Sequence, residues 1–394
     1  MEYPSPTEGG LPQLRRLFLF ILVISSSILF SNFGYAISVP MVRILIEREK
    51  GLKIEGFDLV LSKVNSSEKP IHVDKKSFLR LNCSIGTKIQ LEINGKKTLN
   101  TQGPLRIESL GGFIRVSERQ YRDELYVYSS NKDCIVVNRV DLEKYIAGLL
   151  NSEMSAHWDS QALMAQAITA RTYALYQMQG SPQVNPAFDL DSSVKDQVYE
   201  GAHKERYKAL SAVQKTRGMI LAFQGKPIKA FYHSTCGGNT EKPERVWGGK
   251  FPYLTSVRCP YCYNSPRFNW IYELSFSELE KLLRKATLIK KDFLSLKILK
   301  RNGLNRAEII EISTRGEILR IPATKLRSLL GTSNIMSTNF YLSQNKNQIT
   351  FIGHGSGHGV GMCQWGAKTM SEKGYTYTQI LKHYYPQASV TKLY

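Results

Sequence analysis

Glu153 follows Leu142, Ile146 and Leu149 at helical spacing, which puts it on the apolar face of a helix capped by Asp141. Met154 and Trp158 stand beside it. A carboxyl held among apolar groups resists ionisation and can serve as a general acid. The competing reading is a helix-end Glu paired with a Lys or Arg. Glu143 falls on the polar side of the same helix, where its loss is expected to be mild.

A second group lies in Gly353 to Ala367, which carries His354, His358, Cys363, Gln364 and Trp365. Five Gly in the nine residues 353–361 allow tight turns and close approach to a ligand. Two His four apart resemble a metal pair, but that pairing needs a helix, and this run cannot form one. A loop lining a site is the better reading. A purely structural turn would leave both His unexplained.

The six Cys divide into two sets. Cys83 and Cys134 either form a disulfide or are simply buried. Cys236, Cys259, Cys262 and Cys363 sit in or near the Gly-rich motifs. Cys259-Pro260-Tyr261-Cys262 is spelled like a redox motif, yet no helical pattern follows it. A zinc site fits better, with a disulfide as its rival in an oxidising compartment.

The elements that hold these residues read as α+β. Residues 37–119 form a β-rich N-terminal region, and alternating runs such as 42–46, 88–93 and 124–128 read as strands. A mixed helix and strand domain covers 120–394. Its second helix follows Asp159 and is small-sided, with Ala162, Ala165, Ala167, Ala170 and Ala174. Further helices are expected over 203–216, from about 277 to 286, and near 378–385, where Pro386 stops the last. A basic insert, 263–345, carries 14 basic and 7 acidic residues.

Arg15-Arg16 before the apolar run Leu17–Phe33 and the small-x-small ending Gly34-Tyr35-Ala36 reads as a secretory signal, residues 1–36. An uncleaved membrane anchor over 17–33 is the alternative. Loss of Glu2, Glu8, Arg15 and Arg16 leaves the formal charge of the 394-residue chain at +20. An exported chain this basic is not expected to meet nucleic acid. Anionic wall polymer and anionic lipid remain as partners. The expected location is the cell wall, the periplasm or the outer face of the cytoplasmic membrane.

The order of motifs resembles the SpoIID/LytB family, the sporulation protein D lytic transglycosylases and the related amidase enhancers. It runs through Asn138-Arg139-Val140-Asp141-Leu142-Glu143, Glu153-Met154, Ala165-Gln166-Ala167, Ala170-Arg171-Thr172-Tyr173 and Asp196-Gln197-Val198-Tyr199. Tyr232-His233-Ser234-Thr235, Gly357-His358-Gly359-Val360-Gly361-Met362 and Gln364-Trp365-Gly366-Ala367 complete it. The resemblance implies cleavage of peptidoglycan glycan strands between N-acetylmuramic acid and N-acetylglucosamine, giving 1,6-anhydro ends. It implies Glu153 as the catalytic acid/base. Gln166, Arg171, His233, Ser234, His358 and Gln364 are the expected sugar-binding residues. The chemistry itself needs no cofactor.

Two departures stand out. Cys236 and Cys363 occupy positions where the sporulation enzymes commonly carry Ser. With Cys259 and Cys262 they make a complete zinc set, and His233 is an alternative fourth ligand. Residues 177–196 lack the Cys and His through which some relatives hold zinc. A non-catalytic wall-binding module that enhances a wall amidase is the rival reading. A metallohydrolase built on His233, His354 and His358 is the third.

Overall fold

The computed structural model describes residues 38–83, 88–193, 195–345 and 347–394. The leader 1–36, with its apolar run 17–33, lies outside the described residues. No helix among the described residues is long and apolar enough to cross a membrane.

The N-terminal strands follow their alternation. They are β1 (Met41–Glu49), β2 (Gly51–Lys63), β3 (Ile71–Cys83), β4 (Lys88–Ile93), β5 (Lys97–Gln102), β6 (Leu105–Ser109), β7 (Ile114–Val116), β8 (Arg119–Tyr121), β9 (Glu124–Ser130) and β10 (Asp133–Asp141). Ile54, Leu79, Leu81, Ile89 and Leu91 point inward from β2, β3 and β4 and are buried. The sheet order runs β1-β10-β9-β6-β2-β3-β4-β5, so it continues across residues 119 and 120. Cys83 and Cys134 form a disulfide between β3 and β10.

β10 runs directly into α1 (Leu142–Glu153). Asp141 caps the helix, its carboxylate accepting from the N–H groups of Glu143 (2.8 Å) and Lys144 (3.2 Å). Next comes α2 (Ser160–Val184), whose Ala162, Ala165, Ala167, Ala170 and Ala174 are all buried. Small side chains let α1, the later helices Tyr207–Lys215, Gln364–Glu372 and Tyr377–Tyr384, and strand Met219–Phe223 approach it. The last part of this layer comprises β11 (Leu190–Asp191), α3 (Tyr207–Lys215), β12 (Met219–Phe223), β13 (Lys226–Pro227) and β14 (Tyr232–His233). Apart from β13, these elements share one core with the N-terminal sheet.

Residues 270–351 build a second core of their own. It comprises β15 (Asn269–Ser275), α4 (Phe276–Lys285), β16 (Phe293–Arg301), β17 (Ala307–Thr314), β18 (Ile318–Pro322), α5 (Ala323–Leu330), β19 (Phe340–Gln344) and β20 (Gln348–His354). The chain then returns to the first core through β21 (Met362–Cys363), α6 (Gln364–Glu372), α7 (Tyr377–Tyr384) and β22 (Ser389–Lys392). β21 pairs with β14 in parallel, Tyr232 opposite Met362 and His233 opposite Cys363. That short pairing joins the two motif regions of the sequence.

Candidate active site

Glu153 is the last residue of α1, and Met154 caps the helix with an extended backbone. The negative end of the helix dipole there disfavours a carboxylate. Leu142, Ile146 and Leu149 are fully buried on the same face, as their spacing predicts. The Val198 N–H donates to Glu153 Oε1 at 2.9 Å. Gln364 Nε2 donates to Oε2 at 3.4 Å. The Tyr232 hydroxyl bonds the same carboxylate. Burial raises Glu153 above the usual carboxylate range, against the opposing pull of these three donors.

This balance suits a group that must give a proton and then take one. Desolvation keeps the acid form, and the donors hold the anion once the proton has left. Tyr232 is a dependable donor because burial lifts its phenol well above its ordinary value. Its oxygen accepts from Gln197 Nε2 at 3.2 Å, which directs its proton toward Glu153. Gln197 is itself fixed by Tyr145 and the Ala170 carbonyl.

Two hollows meet at Glu153. One, of about 730 Å³, is lined by Asp196, Tyr232, His233, Ser234, Trp247, Arg267, Arg327, His358 and Gln364 among others. The other, of about 630 Å³, is lined by Asn151, Ser152, Ser155, His157, Arg206 and Lys208. Trp247 is half exposed and stacks on Phe231, with ring centres 4.5 Å apart and 24° between planes. Asp196 is a second carboxylate in the cleft. Its oxygens are taken by the Tyr173 hydroxyl (2.9 Å), Gln177 Nε2 (3.2 Å) and the Asp191 N–H (2.8 Å).

Both cleft histidines are neutral at physiological pH. Burial pushes His233 down to about 4, and His358 well below its usual value. His233 Nδ1 donates to the Val360 carbonyl at 3.1 Å, so Nε2 carries the free lone pair. His358 Nδ1 accepts from the Val360 N–H at 3.1 Å, which leaves Nε2 as the donor toward the Tyr232 backbone. His358 thus braces β14. Gly361 adopts φ +73°, and a Cβ there would strike the Phe231 carbonyl. That close approach explains one glycine of the run.

His233, Ser234, His358 and Gln364 therefore join Glu153 in one cleft. Arg171 and Gln166 do not. Arg171 is fully buried, with Nε 2.8 Å and Nη2 2.7 Å from the Glu143 carboxylate. Its charge is spent inside the core. Gln166 is also fully buried, and its amide finds no partner among the described residues. Glu143 is not on a polar side: α1 is covered nearly all round, and Glu143 is buried with Arg171. The three-histidine metal reading also fails. His354 hydrogen-bonds Asn269 at 2.7 Å. The metal-competent cluster among the described residues is Cys236, Cys259, Cys262 and Cys363 without any His. Sequence reasoning missed Val198 and Trp247, which lie in irregular segments with no period to read, and Tyr232 as a partner of Glu153.

A family model described as stage II sporulation protein matches residues 130–223, which include Glu153. A domain of unknown function (DUF8618) matches residues 259–361. An uncharacterised protein of Brachyspira hyodysenteriae is 38% identical over 266 residues, 68% of this chain and 71% of that protein. Stage II sporulation protein D of Bacillus subtilis is 30% identical over 274 residues, 65% of this chain and 76% of that protein. The chain belongs to the SpoIID/LytB family. The amidase enhancer of Bacillus subtilis is 27% identical over 294 residues, 62% of this chain and 40% of that protein. Within this SpoIID/LytB chain, the second core falls inside the match of unknown function, which supplies Arg267 and Arg327 to the cleft.

Proposed function

We propose that this SpoIID/LytB protein is an exported lytic transglycosylase of peptidoglycan with Glu153 as its acid/base. The observation that carries the reading is one desolvated carboxyl, held by three donors, where two hollows meet. A glycan strand laid through both hollows brings a glycosidic oxygen to Glu153. The protonated carboxyl gives its proton to that oxygen, and the C1–O bond breaks. The resulting carboxylate then accepts the proton of the muramic acid C6 hydroxyl as that oxygen bonds to C1. The products are a 1,6-anhydro end and a new free 4-hydroxyl. Family membership supports a role at the cell wall.

Mass spectrometry of products from purified wall tests the reading. Anhydro-muropeptides released by the protein alone are expected. Reducing muramic acid ends would instead point to hydrolysis with Asp196 as the second carboxyl. No glycan product, with stimulation of an added amidase, would favour the wall-binding enhancer that the amidase enhancer's name brings to mind.

Trp247 offers an aromatic face to a sugar ring. Trp247→Ala is expected to weaken glycan binding about 2- to 10-fold, the equivalent of one stacking contact. Unchanged binding in calorimetry with soluble glycan would remove it from the sugar path. The net charge of +20 gives a further expectation. Binding to purified sacculi in a pelleting assay is expected to fall steeply as salt rises, because exposed charges are screened beyond roughly 8–10 Å at physiological ionic strength. Salt-independent retention would assign binding to the cleft rather than to the basic surface.

A further inference from the structure

Four sulfurs converge where the second core joins the first. The Sγ atoms of Cys236, Cys259, Cys262 and Cys363 all lie within 4.8 Å of one another, and all four residues are buried. A tetrahedral zinc with bonds of about 2.3 Å places its sulfurs about 3.8 Å apart. Two disulfides would need only two close pairs; here every pair is close.

The surroundings offer hydrogen-bond donors to the sulfurs. The N–H groups of Cys236 and Gly366 point at Cys363 Sγ, 3.3 and 3.4 Å away. The Tyr384 hydroxyl lies 3.1 Å from Cys259 Sγ. A thiolate accepts such bonds far better than a thiol or a disulfide sulfur. Arg306, buried on the second core, donates to the Cys236 carbonyl at 2.6 Å, which brings a cation beside the cluster. A Cβ on Gly366 would strike the Tyr384 hydroxyl and stand 2.7 Å from Cys259 Sγ, so the tyrosine and the sulfur together admit only glycine here.

The chain positions add a second point. Cys259 is the first residue of the match of unknown function, and Cys363 follows two residues after its last. Cys236 lies just beyond β14, Cys363 ends β21, and Gln364 follows at once. We propose that the four cysteines bind one Zn²⁺ as thiolates and that this ion fastens both ends of the inserted second core to the strand pair that carries Tyr232 and His233 and leads into Gln364. Binding converts four thiols and Zn²⁺ to a tetrathiolate with a net charge of −2 and releases four protons to the buffer. A closed site of this kind leaves no position for substrate. Its part is to position the cleft.

The test uses the full chain purified without added metal. Elemental analysis is expected to find about one zinc per chain. Titration with an organomercurial is expected to release that zinc in step with four thiols. A non-reducing peptide map is expected to show Cys83 bonded to Cys134 and the other four alkylatable. Hydrogen exchange is expected to rise over 236–262 and 362–366 once the zinc has been released. Cys259→Ser is expected to lose zinc and melt at a lower temperature, whereas Cys83→Ser keeps its zinc. Disulfides among the four cysteines in metal-free protein would overturn the site, as would iron in place of zinc. Unchanged exchange after zinc release would overturn the bracing role. Where Cys259→Ser does not fold, the mercurial titration of the unmodified protein still decides.

Discussion

Glu153→Gln is expected to bind glycan and release almost no anhydro product. The amide keeps the size of the carboxyl and can still accept from the Val198 N–H, the 2.9 Å contact that fixes Glu153 Oε1. It has no transferable proton, so both halves of the reaction lose their partner. A positioned acid/base contributes on the order of a hundred- to ten-thousand-fold in rate, and a loss of that size is expected in kcat. The unmodified protein is expected to lose activity as pH rises through the raised value of Glu153, because only the acid form can protonate the leaving oxygen.

Stability supplies an independent reading of the same group. Burial raises Glu153 in the folded state. Its stabilising contribution is therefore complete below the carboxyl value of the unfolded chain and is lost as pH rises through the folded value. Above the unfolded carboxyl value the native protein bears a cost, either a desolvated anion or the uptake of a proton, that Gln does not. Glu153→Gln is expected to melt at or above the native temperature at neutral pH, with the gain vanishing under acid conditions. A variant that keeps more than a tenth of native activity would sink the mechanism. A variant that melts well below native at neutral pH would make Glu153 a structural residue.

The parts of this fold that could be read from sequence are those with a period. Leu142, Ile146, Leu149 and Glu153 share a face at helical spacing, and Asp141 caps that helix as its residue type predicts. The alternation in β1, β4 and β9 announces strands, but not that β2 pairs with β6 and β6 with β9. Those pairings span tens of residues, and nothing local encodes them. Glu143 misled because helical amphipathicity assumes one wet face, and α1 has almost none once α2 and α3 close over it. Arg171, expected at the sugar from its motif alone, is spent on a buried partner that no local pattern announces. The thiols were legible as a set because Cys is a ligand type. Their convergence depends on β14 meeting β21, a pairing of strands more than a hundred residues apart.

Arg171→Met is expected to destabilise the fold by about 3–5 kcal/mol, the usual cost of leaving one partner of a buried ion pair uncompensated. Glu143 accepts from Arg171 Nε and Nη2 at 2.8 and 2.7 Å, from the Gly218 N–H at 3.2 Å and from the Tyr394 hydroxyl at 2.6 Å. Arg171 Nη1 also donates to the Met219 carbonyl at 2.9 Å. The pair therefore ties α1 to α2 and to the start of β12. Met fills much of the space of the arginine stem but leaves the carboxylate buried without its cation. Arg171→Lys keeps the charge and loses the two-pronged geometry, so an intermediate loss is expected. Adding Glu143→Gln to Arg171→Met removes the stranded charge and is expected to recover part of the loss, a coupling that denaturant midpoints of the four proteins measure. A loss under about 1 kcal/mol for Arg171→Met would mean that the pair is solvated rather than buried. Near-native stability with a raised KM would return Arg171 to the sugar-binding set, because a residue confined to the core changes the folded fraction and leaves KM alone.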